Sequence, residues 1–176
     1  ALDLSADQIS YAKKNLPGPQ YLVGDMRHPP AGPFDAVLNI YSSFGYFDTV
    51  EEDQSALESW KKVLKPGGRL LMELPDLERA LSLDELVQAK NTDGISRIIR
   101  GTDQVRETVV MNWNNSTLTN HYAFKGTVQT YHTRLYPQAE LLRMLKKAGF
   151  SQVEVYGNFR KSQKQPSDWA VFLALA

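Results

Sequence analysis

The chain has 176 residues, 42% hydrophobic and 23% charged, with 11 Gly, 9 Pro and no Cys, a globular composition that excludes a coiled coil, a collagen-like repeat and a disordered tail. Twenty Lys and Arg balance twenty Asp and Glu, so no overall field gathers nucleic acid, an anionic membrane or an acidic partner. Without Cys there is no disulfide scaffold, zinc knuckle or thiol nucleophile; no apolar run nears the roughly 20 residues of a membrane span, and Ala1-Leu2-Asp3-Leu4-Ser5 is not a signal peptide, so the expectation is a soluble cytoplasmic protein. One domain of this length buries roughly two-thirds of its unfolded surface.

Ala1-Leu2 reads as the tail of a strand. Ser5 with Gln8 is a capping box, and Ile9, Ala12 and Leu16 recur at helical spacing until Pro17-Gly18, which predicts a helix over residues 5–16. Residues 21–23 and 34–40 are short apolar runs that read as buried parallel strands. Thr49 with Glu52 caps a second helix carrying the Leu57, Trp60, Leu64 stripe, ended by Lys65-Pro66-Gly67-Gly68, and residues 70–74 form the next strand. Alternation of strand and helix with short connections means right-handed crossovers and an α/β fold. Ser82 with Glu85 starts a further short helix. Residues 104–136 then alternate polar with apolar or aromatic, turning at Asn114-Asn115 and Lys125-Gly126, as an inserted antiparallel meander. Pro137 to Gly149 is a helix, followed by strands over 152–156 and 169–175; the intervening Arg160, Lys161 and Lys164 read as a solvated hairpin tip. The whole is a single domain, 1–176, with 77–136 as an inserted helix and meander.

In an open α/β sheet ligands bind beyond the carboxyl ends of the strands, here Asp3-Leu4, Asp25-Met26, Asn39 through Gly45 and Leu74-Pro75-Asp76. Asp3 can accept two hydrogen bonds from a vicinal ribose diol, Asp25 can accept from an exocyclic amine, and Leu4 and Met26 can flank a purine ring. Taken singly, Asp3 is equally a helix N-terminal acid and Asp25 a turn residue.

Asp3-Leu4-Ser5, Val23-Gly24-Asp25-Met26, Phe34-Asp35-Ala36-Val37, Ser42-Ser43-Phe44-Gly45-Tyr46-Phe47 and Leu64-Lys65-Pro66-Gly67-Gly68-Arg69-Leu70 occur in that order. The set resembles the class I S-adenosylmethionine-dependent methyltransferases of the small-molecule type, with further likeness at Arg134-Leu135-Tyr136 and Ala148-Gly149-Phe150. The resemblance implies a Rossmann-like, mostly parallel sheet with an antiparallel last strand, S-adenosylmethionine as cofactor, Asp3 on its ribose, Asp25 and the Met26 amide on its adenine, and Tyr41 and Ser42 beside its methionine part. Family members carry a strand and a glycine-rich turn ahead of the segment matched here. No such glycine loop occurs in this chain, so the expectation is an N-terminally truncated fragment whose first strand and helix are missing, which leaves residues 1–4 without an inner neighbour and cofactor binding weak.

Methyl transfer from a sulfonium needs a nucleophile held about 3 to 3.5 Å from the methyl carbon and shielded from water. The meander is expected as a lid over a small-molecule substrate, contributing Trp113, Tyr122, His132 and Arg134 above Tyr41 and Tyr46. His132 or His121 is the candidate base. Three scattered His give no metal-site pattern. Two other readings stand beside this one: a nicotinamide-dependent oxidoreductase, and a non-catalytic remnant that completes its sheet with a strand from a second chain as a homo-oligomer.

Overall fold

The computed structural model describes residues 1–176. Strand β1 (Leu2–Asp3) leads into helix α1 (Ala6–Asn15) and strand β2 (Leu22–Val23); β3 (Phe34–Asn39), α2 (Val50–Val63) and β4 (Leu64–Leu74) follow. Next come α3 (Leu77–Ser82) and α4 (Asp84–Ala89), then a four-stranded meander: β5 (Ile95–Gly101), β6 (Val105–Asn112), β7 (Thr117–Phe124) and β8 (Thr127–Arg134). Helix α5 (Gln138–Lys147) and strands β9 (Ser151–Tyr156) and β10 (Ala170–Leu175) close the chain.

The layered strands fall into two sheets. β1 and β2 pair in parallel, while the second sheet runs β3-β4-β10-β9, with β3 parallel and β10 antiparallel to β4. No strand of the chain pairs with the outer edge of β1 or of β3. The α/β class and the antiparallel last strand are as predicted. The main core lies between α2, α5 and the β4-β10 pair, where Leu57, Trp60, Leu70, Met72, Leu145 and Phe172 are buried. Ala80, Leu86, Val109, Met111 and Leu135 make a separate small core between α3, α4 and the meander. No helix is long and apolar enough to cross a membrane.

Several elements differ from expectation for identifiable reasons. Ser5 caps α1 by accepting from Gln8 N at 3.2 Å, but its own amide is taken by Asp3 Oδ1 at 2.7 Å, so a carboxylate two residues upstream fills the part expected of the Gln8 side chain. The Thr49–Glu52 capping box forms in both directions. Lys65-Pro66-Gly67-Gly68 sits inside β4 as a bulged stretch: pairing jumps from Phe34↔Leu64 to Ala36↔Arg69, and Gly67 takes φ +77. The Ser82 box does not form, because Ser82 Oγ donates to Arg79 O; Asp76 instead caps the unforeseen α3 by accepting from Arg79 N at 2.9 Å. In the loop after β9, Arg160 and Lys161 are exposed as expected of a solvated tip, but Lys164 is not. Lys164 is almost fully enclosed, with Nζ 3.0 Å from Asp76 Oδ2 and 3.2 Å from Glu78 Oε2, stapling that loop to α3.

Candidate functional site

Parallel pairing brings the two predicted acids to one end of one sheet. Asp3 closes β1 in register with Val23, Gly24 N donates to Asp3 O at 2.9 Å, and Asp25 follows directly. Asp3 uses Oδ1 on Ser5 N, leaving Oδ2 free. Asp25 is gripped by Arg27, whose amide and Nε reach Oδ1 at 2.8 and 3.1 Å while Nη2 reaches Oδ2 at 2.6 Å. Those hydrogen bonds hold the Asp25 carboxyl below its ordinary value against the opposing effect of burial. Arg27 also pairs with Glu52 and lies over the Phe47 ring at 4.6 Å. Leu4 is exposed at the rim, but Met26 packs on the main core, with Sδ 3.9 Å from Asn39 Nδ2 and its carbonyl receiving Trp60 Nε1 at 2.8 Å. The expected Met26 side-chain wall for a ring is therefore turned inward, while the Met26 amide hydrogen bonds to nothing in the chain.

At the end of β3, Asn39 is buried; its Nδ2 donates to Ser43 O at 3.2 Å and its Oδ1 has no donor at all. An orphan acceptor in this position is a demand for an N–H. Tyr41 and Ser42 follow with φ +56 and +61, and Ser42 N donates to Glu73 O at 3.1 Å. Tyr41 is 80% exposed.

The loop after β3 is locked to the meander. Arg134 N donates to Gly45 O at 2.7 Å, and Gly45 at φ +91 lies so close that a Cβ would overlap the Arg134 carbonyl. Beneath them Asp53, fully buried on α2, accepts from Arg134 Nη1 at 2.6 Å and Tyr136 OH at 2.7 Å, both on Oδ2. Burial pushes the Asp53 carboxyl up, opposed by the Tyr136 and Arg134 hydrogen bonds, and pushes the Tyr136 phenol up as well. Arg134 Nη2 also reaches Asp48 O at 2.9 Å. Over this clasp opens a cavity of about 470 Å³, its walls including Tyr46, Tyr131, His132 and Arg134. His132 Nδ1 is 3.0 Å from Thr119 Oγ1.

The other predicted substrate contacts lie elsewhere. Trp113 packs on the small core and donates Nε1 to Ser96 Oγ at 2.8 Å, and Tyr122 donates to Glu107 Oε1 at 2.7 Å. The two-residue strand period puts Tyr122, paired with Gln129, on the face opposite His132, paired with Thr119. Neither Trp113 nor Tyr122 lines the cavity. The sequence reading placed Asn39 at a strand end but missed Asp53 and Glu73; the available signal was polar side chains at positions where the helix and strand patterns demand apolar ones.

A methyltransferase-domain model matches residues 1–72. Over 73 residues the chain is 41% identical to a dTDP-3-amino-3,4,6-trideoxy-alpha-D-glucopyranose N,N-dimethyltransferase of Streptomyces venezuelae, covering 41% of this chain and 31% of that protein. Along 97% of its length it is 27% identical to YqeM of Bacillus subtilis (strain 168), a protein named as a methyltransferase, of which it covers 72%. Its fold superposes with a TM-score of 0.79 on an S-adenosylmethionine-dependent methyltransferase of Clostridium acetobutylicum ATCC 824, at 14% identity over 99% of this chain and 73% of that one. Residues 1–72 thus match a methyltransferase domain, and the whole chain has the fold of S-adenosylmethionine-dependent methyltransferases. The carboxyl edge of the strands fits S-adenosylmethionine in kind: Asp3 Oδ2 is a free acceptor, the Met26 amide a free donor, and Asn39 Oδ1 a buried acceptor without a partner.

Proposed function

We propose that the chain serves methyl transfer to a nitrogen of a small-molecule acceptor in the cytoplasm, with the cofactor laid along the carboxyl ends of β1, β2 and β3. The observation that carries this is the juxtaposition of Asp3 and Asp25 at the carboxyl ends of adjacent parallel strands, beside the unpaired Met26 amide. In this reading Asp3 holds the ribose hydroxyls, Asp25 and the Met26 amide hold the adenine edge with Leu4 at the rim, and Asn39, Tyr41 and Ser42 lie along the methionine part. Bound there, the cofactor supplies a methyl carbon on positively charged sulfur. What the protein adds is orientation and exclusion of water. The fold from residue 77 to 136 acts as the lid, anchored at Gly45 and Asp53. Tyr46 and His132 face the acceptor in the meander cavity, His132 as the candidate proton acceptor, while Arg134 braces the wall. A nitrogen acceptor is supported by the likeness to a sugar N,N-dimethyltransferase over 73 residues. Radiolabelled methyl transfer to a panel of amino sugars and simple amines tests it, and transfer to hydroxyl acceptors alone would contradict it.

A second reading rests on the open edge of β3. Phe34 and Leu38 of that strand are 37% and 65% exposed, an apolar display suited to strand sharing between copies. Light scattering that returns a strict monomer across the working concentration range removes it.

A further inference from the structure

A second cavity, of about 450 Å³, opens where the carboxyl end of β4 meets the start of β10, and it shares no residue with the meander cavity. Tyr41 and Trp169 give it aromatic walls; Glu73, Asp168 and Arg79 are its charged groups. Arg79 is already engaged, with Nη1 on Ser167 O at 2.5 Å and its guanidinium carbon 5.6 Å above the Trp169 ring. Asp168 Oδ2 accepts from Gln165 N at 2.8 Å. Glu73, half-buried on β4, receives only the Tyr41 amide at 3.3 Å on Oε2, and its Oε1 has no protein donor. The walls thus carry two carboxylates against one guanidinium, with the least satisfied carboxylate lining the same cavity as two aromatic rings. A carboxylate and aromatic faces both attract a cation and repel an anion, and the position of Arg79 shows that the Trp169 face accepts positive charge.

We propose that Tyr41, Glu73 and Trp169 form a subsite for a small organic cation, a protonated or quaternary amine. Tyr41 is shared with the methionine part of the proposed cofactor path, so this cavity adjoins that path through Tyr41, and binding of the cation alone reads it out. The full chain, labelled with ¹⁵N at its three indoles, is titrated with cyclohexylammonium and with tetramethylammonium at constant ionic strength, with cyclohexanol as the neutral control. Both cations should shift the Trp169 indole saturably and leave Trp60 and Trp113 in place. Glu73→Gln should weaken this about ten-fold or more, as should Tyr41→Ala, which removes an exposed ring and so leaves the fold intact. An equal response to cyclohexanol, wild-type affinity in both variants, or no saturable shift overturns the proposal. S-adenosylhomocysteine also carries an ammonium and is the competing source of this chemistry. It should leave the amine bound, and displacement by it would overturn the assignment to a separate ligand.

Discussion

Arg134 and Asp53, 81 residues apart in sequence, meet at 2.6 Å beneath the loop that joins β3 to α2. One partner is fully buried and the other mostly so, with side-chain exposures of 0% and 20%. Removing the acid leaves a guanidinium and the Tyr136 hydroxyl without their acceptor in a water-poor site. Asp53→Ala should therefore lower stability by about 3 kcal/mol, seen as a lower urea midpoint. A loss near zero would show that the clasp is incidental.

Gly45 is tied to the same clasp through its contact with Arg134 and its φ of +91. Gly45→Ala adds both a backbone strain and an overlap with a carbonyl, and should cost about 2 to 4 kcal/mol. Gly126 has a similar φ, +82, with open space around it, so Gly126→Ala should cost only about 1 kcal/mol. Equal effects in urea unfolding would remove the close approach as the reason for glycine at position 45.

Asp25 keeps its charge in the folded state at acidities where the unfolded chain, at an ordinary value of 3.8, has begun to take up a proton. This contribution is complete above about 3.8 and disappears as pH falls through the lower folded value. Asp25→Asn should consequently flatten the acid limb of the stability profile below about pH 4. Parallel wild-type and variant profiles would contradict the Arg27 pairing.

Tyr122 is raised from 10.0 to about 12 by its hydrogen bond to Glu107. A phenol that holds its proton longer when folded contributes stability fully below pH 10 and loses it as pH rises toward 12. Ultraviolet titration, read as the difference between wild type and Tyr122→Phe, should show the late ionisation. Glu107→Gln should bring it back toward 10. A Tyr122 that titrates normally in the wild type would place its ring in water.

The carboxyl-edge residues were legible because strand ends and turn residues leave local marks: Asp3 before a capped helix, Asp25 after Val23-Gly24. Thr49 and Glu52 were equally local. What escaped was set by distant partners. Strand β5 carries three Ile, but Ser96, Arg97 and Arg100 break their alternation, and its pairing with β6 from Ile95↔Asn112 to Gly101↔Arg106 is what defines it. Lys164 reads as a loop charge until α3 supplies Asp76 and Glu78. Trp113 and Tyr122 share the alternation of pocket residues; the register of β7 and β8 turns Tyr122 away from His132, and Trp113, just past β6, packs on the small core.

The cofactor assignment is most directly tested by equilibrium dialysis of the chain against radiolabelled S-adenosylmethionine, comparing wild type with Asp3→Ala, Asp25→Ala and the remote Asp103→Ala. Whatever the absolute affinity, the first two variants should each reduce retention about ten-fold or more and the third should leave it unchanged. Equal retention by all four proteins would contradict the placement of the nucleoside at the ends of β1 and β2.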